Sequence, residues 1–431
     1  MQILKKQWLA VLFVFIVSNL MADINIGDTS SLQTYLTNSN NYTTTGNQLS
    51  LTAGVNYTAS ASNHLITVGQ ANKIFSGSAL YALKFINSTN GALSIRSGYS
   101  MTFQNFNAGL SFSNNKVADI GGGIYNNGSL TIKNSTVTFS GNIAQTTSTS
   151  YGGGAIYSAD TGKIVFENSY IVFDSNRAST GWGGAIQFTI AQPIDIVLNV
   201  KNSTVVFSNN TAKTGGGAID FPDNSSAIFK DSSITFSGNT SGSTAEIGEA
   251  GAIKVDSTFT LEFNGGSVLF SGNRCSRDGA TLNNSGTVNF INNVATFKNN
   301  YDVNSYQIYS AGKINFTGGA VDFQGNTSNF KFINSWTGVT WNISELRFTD
   351  NKVSGGIQTT MGDFWTVLER SYSKSIRASG NANTNGNGGF MSIENRVLEL
   401  SGVLNISQNT AGRYGGGIIL GASGVSELTI S

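Results

Sequence analysis

A sequence motif that recurs about every 29 residues constrains the fold of this chain more than any other feature. It consists of a Phe, two small or polar residues and an Asn, followed by a variable stretch, a Gly-Gly pair and an aliphatic residue. Ten intervals separate the first such position, Phe112, from the last, Ile406. Self-similarity at one fixed period is the sequence signature of a solenoid. We therefore expect about eleven stacked coils, one for each repeat.

The repeat has two parts that recur together. The Phe and Asn of the first six copies are Phe112 and Asn115, Phe139 and Asn142, Phe173 and Asn176, Phe207 and Asn210, Phe236 and Asn239, and Phe270 and Asn273. Later copies are FKNN (297–300), FQGN (323–326) and FTDN (348–351), with weaker ones at 378–381 and 406–409. The glycine part stands as Gly153-Gly154-Ala155-Ile156, Gly183-Gly184-Ala185-Ile186, Gly216-Gly217-Ala218-Ile219 and, as a variant, Ala250-Gly251-Ala252-Ile253.

Each repeat contains short strands of alternating polarity. Leu130 and Ile132 alternate with polar residues before a turn, and Val137 and Phe139 do so after it. The turn falls on a small residue five positions before the Phe, namely Asn134, Asn168, Asn202, Asp231, Gly265, Asn292 and Gly318. The Gly-Gly-Ala-Ile-Tyr segment supplies a third strand. Strands with one apolar face become stable when equivalent strands stack coil on coil, so we predict an all-β, right-handed, single-stranded parallel β-helix.

The motif residues receive structural roles in this fold. The repeated Phe side chains are predicted to stack into an aromatic ladder. The Asn three residues later is predicted at a corner, where Asn tolerates a left-handed backbone and its side chain bonds the main chain. The glycines at 121–123, 152–154, 183–184, 215–217 and 415–417 are predicted at corners that need positive φ or a close approach of neighbouring backbones.

Composition agrees with a β-solenoid and excludes some functions. Charged residues are 11% of the chain, against about a quarter in ordinary globular domains. A net charge of +1 gives no reason to expect nucleic acid as a partner. The single cysteine, Cys275, excludes an internal disulfide.

The chain divides into three predicted regions. Residues 1–22 read as a signal peptide, with a basic start, an apolar core and a small-residue cleavage site. Residues 23–111 form an N-terminal cap and irregular first coils, with a short helix beginning near Ser30, where Gln33 completes a capping box. Residues 112–431 are parallel β-helix repeats, whose C-terminal end we expect to be truncated or uncapped because it stops within SELTIS.

The paired FxxN and GGAI motifs resemble the repeats of the chlamydial polymorphic membrane proteins, over roughly residues 112–420. This resemblance implies an autotransporter passenger: a protein exported by a signal peptide, displayed at the cell surface as a β-helix, usually an adhesin, and joined to an outer-membrane β-barrel. Two features depart from the family pattern. GGAI is lost between 301 and 340, and no barrel follows. Membrane attachment is therefore expected only through a barrel domain that is not present in this chain.

The main alternative is a β-helix polysaccharide lyase or glycoside hydrolase, which would gather two or three carboxylates in a groove. The row that follows the Phe contains a single acid, Asp174. Three cross-coil ion pairings are predicted and interpreted as surface ladders rather than catalytic groups: Glu167 between Lys133 and Lys201, Asp220 beside Lys254, and Asp322 beside Arg347. A convergence of three charged side chains on one face would favour the enzyme.

No catalytic, cofactor or metal site is predicted. His64, the only histidine, has no partner at ligand spacing, and the glycine runs lack the Lys-Ser/Thr of a phosphate loop. We expect an exported, non-catalytic protein at the extracellular or outer-membrane surface, adhesin-like or structural. Its partner would be a host-cell or matrix receptor or an envelope component, contacted by the variable loops at 143–151 and 240–249.

Overall fold

The computed structural model of this chain describes residues 24–26, 48–51, 55–58, 66–68, 72–77, 79–80, 82–190, 194–242, 248–302, 306–328, 331–335, 339–353, 372–373, 375–383, 391–393, 397–400, 403–411, 418–420 and 427–430. The described residues contain strands and turns and no helix. In this part of the chain, then, no helix has the length and apolar character needed to cross a membrane. The predicted signal peptide, the predicted helix near Ser30, His64 and the glycines at 415–417 lie outside the described residues.

Four parallel sheets run along the molecule, and we number them in the order in which one coil visits them. Sheet 1 has thirteen described strands: Ile24–Ile26, Gln48–Leu51, Lys73–Ser76, Ser100–Gln104, Ser129–Lys133, Lys163–Glu167, Ile194–Lys201, Ser225–Lys230, Thr260–Asn264, Thr287–Ile291, Lys313–Thr317, Val339–Ile343 and Tyr372–Ser373. Sheet 2 also has thirteen: Val55–Thr58, Leu83–Ile86, Leu110–Ser113, Thr136–Ser140, Tyr170–Asp174, Thr204–Ser208, Ser233–Ser237, Ser267–Ser271, Val294–Lys298, Ala320–Gln324, Glu345–Thr349, Ser375–Ser379 and Val403–Ser407.

The other two sheets complete each coil. Sheet 3 has eleven described two-residue strands: Lys116–Val117, Ile143–Ala144, Arg177–Ala178, Thr211–Ala212, Thr240–Ser241, Arg274–Cys275, Tyr301–Asp302, Thr327–Ser328, Lys352–Val353, Ala382–Asn383 and Thr410–Ala411. Sheet 4 has ten: Ile66–Val68, Leu93–Ile95, Ile124–Asn126, Ile156–Ala159, Ile186–Thr189, Ile219–Phe221, Ile253–Val255, Leu282–Asn284, Tyr306–Ser310 and Lys331–Ser335. Two further parallel pairs join Met391–Ile393 to Ile418–Leu420 and Val397–Leu400 to Glu427–Ile430.

The fold is therefore a parallel β-helix, as the repeats predict, and its right-handed sense remains the expectation set by the handedness of parallel crossovers. Two details differ from the prediction. Each coil has a fourth strand, because the two residues after the Asn pair with the equivalent residues of the next coil to form sheet 3. Sheet 4 also continues where GGAI is lost, through Tyr306–Ser310 and Lys331–Ser335.

The core is a column of aromatic and aliphatic side chains between the sheets. The predicted Phe ladder is confirmed: from Phe85 to Phe348, successive rings of sheet 2 stack with centroids 4.7–5.1 Å apart. A second ladder in sheet 1 runs from Phe229 to Trp341 at 4.4–5.1 Å. Because the spacing of parallel strands is about 4.8 Å, in-register pairing brings identical rings into van der Waals contact without further adjustment.

The predicted turns between sheets 1 and 2 are also confirmed. Asn134, Asn168, Asn202, Asp231, Gly265, Asn292 and Gly318 all have φ between 48° and 70°. This left-handed conformation is accessible to Gly and tolerated by Asn and Asp, which explains the residue types at this position. Serine follows several of these turns, and its hydroxyl bonds across coils, as when the main-chain N–H of Ser135 donates to Ser169 Oγ at 3.2 Å.

The predicted role of the motif Asn is confirmed in part: its side chain bonds the main chain, as expected, but the prediction of a left-handed backbone is wrong. The left-handed residue at the corner after sheet 2 is the one before it, such as Gly141 (φ 62°), Ser175 (56°) or Asn209 (55°). The Asn itself is fully buried at Asn115, Asn142, Asn176, Asn210, Asn239 and Asn273. Its side chain turns inward because only there can the amide satisfy main-chain groups that the corner leaves unpaired.

The buried asparagines form a continuous hydrogen-bonded ladder from Asn115 to Asn409. Each Nδ2 donates to Oδ1 of the Asn in the next coil at 2.8–3.1 Å. It also donates, at 2.7–3.1 Å, to the main-chain carbonyl oxygen of the Phe in the preceding coil. In the last coil of the ladder, where Ala378 stands at the Phe position, Asn409 donates to the carbonyl oxygen of Ala378. The Oδ1 atom accepts from the preceding coil in return, so the FxxN motif is an internal clamp between coils.

Candidate functional site

The repeat motifs themselves lie inside the molecule. Alongside the buried Phe and Asn, Ile156, Ile186 and Ile219 are fully buried. Gly153, Gly183 and Gly216 have φ of 60–67°. A Cβ at Gly154, Gly184 or Gly217 would collide with the carbonyl oxygen of Gly184, Gly217 or Gly251 in the next coil. The glycines are therefore required by the close approach of backbones, as predicted, and a binding site must be sought elsewhere on the coil.

The corner between sheets 3 and 4 is the variable part of the coil. Its connection spans 118–123 in one coil, 145–155 in the next, then 179–185, 213–218 and 242–252, so it varies between six and eleven residues. By contrast, the turn from sheet 1 to sheet 2 is two residues at 134–135, 168–169, 202–203 and 231–232. The predicted loop boundaries shift slightly, because Ile143–Ala144 and Thr240–Ser241 are strands of sheet 3.

These loops lie against the outer face of sheet 4. The row of side chains just after the buried Ile pairs in register across five coils: Tyr125, Tyr157, Gln187, Asp220 and Lys254. Gln187 Nε2 donates to the carbonyl oxygen of Ser150, in the loop of the preceding coil, at 3.0 Å. The outward row is therefore partly covered, and residues of both loop and sheet contribute to one surface.

A cleft of about 500 Å³ opens at one end of this row. Three tyrosines form its wall. The rings of Tyr125 and Tyr157 stack with centroids 5.9 Å apart and an angle of 14° between their planes. Tyr151, at the end of the loop, meets Tyr157 edge to face at 6.1 Å and 74°. Thr189 Oγ1 donates to Tyr157 Oη at 2.6 Å, which fixes the central ring.

Two carboxylates and three aliphatic side chains complete the cleft. Asp119 and Asp160 are exposed at its rim, and Ile120, Ala159 and Ile190 contribute apolar surface. Burial raises the pKa of the Tyr125 hydroxyl, and the charges of Asp160 and Asp119 raise it further. Burial likewise raises the pKa of Tyr157. Tyr125 and Tyr157 are thus neutral hydroxyl donors and acceptors throughout the physiological pH range.

A charged cluster occupies the other end of the row. Lys254 Nζ lies 3.9 Å from Asp220 Oδ1 and bonds Asp256 Oδ1, and it sits 4.5 Å from the centre of the Trp182 ring. The predicted pairing of Asp220 with Lys254 is confirmed, but its interpretation as a surface ladder is wrong. Asp220 is buried, with only 6% of its surface exposed, and its Oδ2 accepts a hydrogen bond from Gln187 Nε2 at 3.2 Å.

Burial dominates the titration of Asp220. Loss of hydration raises its pKa from 3.8 to about 7, against the opposing attraction of Lys254 and the hydrogen bond from Gln187. The pKa of Lys254 is raised, because Asp220, Asp256 and Glu249 together outweigh the desolvation of its ammonium group. In the folded protein Asp220 therefore keeps its proton up to near-neutral pH.

We expect Asp220→Asn to remove a pH-dependent loss of stability. Between pH 3.8 and about 7 the folded state holds a proton on Asp220 that the unfolded chain has released, so this group stabilises the fold below that window and the stability is lost as pH rises through it. Two pKa units correspond to about 3 kcal/mol. Urea unfolding at about pH 5 and about pH 8 should show that difference in the wild type, relative to the Asn variant.

The matched control is Asp231→Asn, an exposed carboxylate in a turn where Asn is the usual residue. This variant should retain the pH dependence of the wild type. If Asp220→Asn and the wild type lose the same free energy of unfolding between the two pH values, Asp220 is ionised in the fold and the assigned titration is wrong.

The other two predicted ion pairings have the right register but not the predicted contacts. Glu167 pairs with Lys133 and Lys201 in neighbouring strands, yet within the described coils no ion pair of 4 Å or less joins them. Asp322 pairs with Arg347 in the strands, but Arg347 Nη2 bonds Glu345 Oε2 at 2.6 Å instead. Burial raises the pKa of Asp322 against the attraction of Arg347. Neither pairing forms a site.

Sequence reasoning missed the cleft. It singled out the loop that ends at Tyr151 but not Asp119, Tyr125, Tyr157 or Asp160. A signal was present, since Tyr125 and Tyr157 occupy the same place after GGGI and GGAI. Elsewhere, Cys275 is a buried free thiol 3.5 Å from Asp302 Oδ2, and burial raises its pKa well above the usual value. Among the described residues, no group of three or more His, Cys, Asp or Glu is arranged to hold a metal ion.

Comparison with known proteins identifies the repeats. Residues 109–127, 136–159, 170–189 and 204–222 match the Chlamydia polymorphic membrane protein repeat. Each matched segment begins in or at the edge of sheet 2, passes through FxxN and the variable loop, and ends in or just beyond sheet 4. No curated protein and no solved structure matches the chain. The chain thus carries four matched repeats of the chlamydial polymorphic membrane protein family, and both the cleft and Asp220 lie within or beside them.

Proposed function

Because the chain carries repeats of the chlamydial polymorphic membrane protein family, we propose that it is an exported passenger displayed at the cell surface, where it binds as a non-catalytic adhesin. The partner is a receptor on a host cell or in the matrix, or a component of the envelope. The contact surface is the corner between sheets 3 and 4. The regular sheets serve as the rod that carries this surface.

One observation carries the proposal: the longest and most variable connections of the coil lie at one corner, where they range from six to eleven residues in the coils between 118 and 252, against two to four at the corner between sheets 4 and 1. The turns between sheets 1 and 2 and between sheets 2 and 3 are held by left-handed residues and the Asn ladder. The loops between sheets 3 and 4 differ from coil to coil, as in 145–155 and 179–185. Loops positioned by a rigid scaffold are the usual location of binding residues.

The enzyme alternative has one observation in its favour, the convergence of Asp220, Lys254 and Asp256. Glycosidases need two carboxylates that flank an open substrate groove. Here one ammonium group binds both acids, and the side chains of Asp220 and Lys254 are only 8% and 14% exposed. Trp182 covers the ammonium group. A cluster whose central acid and lysine are this little exposed supports loop packing better than it supports catalysis.

We expect attachment to depend on the loops and not on the sheets. Residues 145–149 and 243–247 would be replaced by Gly-Ser sequences, which leaves the strands Ile143–Ala144 and Thr240–Ser241 intact. Because changes of loop sequence and length cost little stability, the variant should keep its β-sheet circular dichroism and lose most binding to cultured host cells and to purified matrix.

A matched control changes the opposite part of the coil. Tyr170 and Val294 are exposed hydrophobic residues of sheet 2, 48% and 50% accessible, and Tyr170→Ala with Val294→Ser should leave attachment unchanged. Undiminished attachment of the loop variant, or equal loss in the sheet 2 variant, would refute the assignment of binding to this corner. Hydrolysis of plant or bacterial polysaccharides by the wild type, lost in Asp220→Asn, would instead establish the enzyme.

A further inference from the structure

The tyrosine cleft brings together residues of three successive coils. Asp119 and Tyr125 belong to the first coil, Tyr151, Tyr157 and Asp160 to the second, and Thr189 to the third. Its volume of about 500 Å³ lies within the range of about 300–1,000 Å³ that holds small-molecule ligands. The three coils extend about 10 Å along the rod at the spacing of parallel strands.

The wall and floor combine aromatic faces with aliphatic patches. Tyr151 is 44% exposed and Tyr125 is partly exposed, whereas Tyr157, stacked on Tyr125, is buried at 3% exposure. Ile120 and Ile190 add apolar surface on either side. Aromatic rings with a polar tip suit ligands that have both an apolar face and hydroxyl groups. A pyranose ring has this character, with C–H bonds on its faces and hydroxyls at its edge.

The polar groups of the cleft are mainly hydrogen-bond acceptors. Carboxylate oxygens, such as those of Asp119 and Asp160, are acceptors, whereas the hydroxyls of Tyr125, Tyr157 and Thr189 can both donate and accept. The residues that line the cleft include no Lys, Arg or His. A ligand that donates from several hydroxyls is therefore matched, and one that carries carboxylate or sulfate is repelled by the two aspartates.

We propose that this cleft binds an uncharged oligosaccharide two or three sugars long. This inference rests on the proposed adhesive function and specifies its ligand class. Tyr151 packs against an apolar face of one sugar, and Asp119 and Asp160 accept hydrogen bonds from sugar hydroxyls. A cation is a poorer occupant, because the faces of Tyr157 are taken by Tyr125 and Tyr151 rather than arranged around a central charge.

Isothermal titration with the purified full chain tests the proposal. The probes are cellotriose, N,N′-diacetylchitobiose and N-acetyllactosamine, with 3′-sialyl-N-acetyllactosamine as the anionic counterpart of the last and tetramethylammonium as a cation. At least one uncharged sugar should bind, and the sialylated form should bind more weakly. Tyr151→Ala and Asp119→Asn should each weaken binding about tenfold or more, because each removes one principal contact of a small ligand.

Tyr170→Ala is the matched control, since Tyr170 has almost the same exposure as Tyr151 but lies on sheet 2. It should bind sugar like the wild type. The proposal is overturned by an absence of binding to all three uncharged sugars, by preference for the sialylated sugar or for tetramethylammonium, or by equal effects at Tyr151 and Tyr170. Cell attachment by the wild type, measured in parallel, separates the two claims. A wild type that attaches to cells but binds none of the sugars refutes the cleft alone, and one that binds sugar but does not attach refutes the adhesin.

Discussion

Replacement of Asn210 by Ala is expected to lower the free energy of unfolding by about 3–6 kcal/mol. Asn210 Nδ2 donates to the carbonyl oxygen of Phe173 at 2.9 Å and to Asn239 Oδ1 at 3.0 Å. Its Oδ1 accepts from the main-chain N–H and the Nδ2 of Asn176, both at 3.0 Å. Alanine deletes all four bonds at a position with no solvent access, and each buried group left without a partner costs about 1–3 kcal/mol.

The neighbouring residue supplies the control. Asn209 is exposed and left-handed, with φ 55°, and the equivalent position holds Gly238 in the next coil and Gly141 two coils before. Asn209→Gly should therefore change the stability by a few tenths of a kcal/mol. Urea unfolding followed by circular dichroism gives both values. Similar losses of unfolding free energy in the Asn209 and Asn210 variants would mean that the ladder does not stabilise the coils. The motif Asn would then be an ordinary corner residue.

The difference between these two asparagines shows where sequence reasoning stopped. FSNN contains two Asn side by side, and the chemistry of Asn suits both a left-handed corner and a buried amide clamp. Asn generally prefers turns, and this preference led to the prediction that the fourth residue of the motif, instead of the third, lies at the left-handed corner. A cue lies in the third position, which is occupied by Asn, Gly, Ser, Asp or, at 408, Gln. That set of residue types indicates the left-handed site. The fourth position is always Asn because only its side chain can form the buried amide clamp.

Periodic features were predictable because the same requirement recurs in every coil. The Phe positions, the alternation around Val137 and Phe139, and the left-handed residues such as Asn134 all follow from repetition. Sheet 3 was missed because its strands have two residues, too few to show alternation of polarity. Its existence follows from the in-register stacking of coils rather than from any pattern within 143–144.

The cleft could not be predicted in the same way, since it depends on residues that do not repeat. Tyr125 and Tyr157 share a row, but Tyr151 reaches the cleft through a loop whose path the sequence does not specify. Asp160 occupies it because a turn after sheet 4 places this residue at φ 47°. The burial of Asp220 likewise is not shared by Tyr125, which lies in the same row and is partly exposed. A site that depends on the conformation of loops can therefore be found only from the three-dimensional structure.

A second large loss of stability is expected when the Phe ladder is interrupted. Phe207 is fully buried and stacks on Phe173 at 4.8 Å and on Phe236 at 4.9 Å. Phe207→Ala should lower the free energy of unfolding by about 3–5 kcal/mol, the usual cost of emptying an aromatic core site. Ser208 points outward, and its Oγ donates to Asp174 Oδ1 at 2.6 Å. Ser208→Ala should cost about 1 kcal/mol or less, because this bond is only partly shielded from water.

The substitution at Phe207 should also lower stability locally, in the coils next to it. Each coil of a solenoid contacts only its neighbours, so a cavity at Phe207 weakens the stacking of Phe173 and Phe236 before it affects distant coils. Hydrogen exchange should therefore accelerate first in the strands Tyr170–Asp174 and Ser233–Ser237. Protection at Ala320–Gln324 should hold longer. Equal urea midpoints for the Phe207 and Ser208 variants, or a uniform rise in exchange along the rod, would contradict a ladder whose rungs stabilise one another locally.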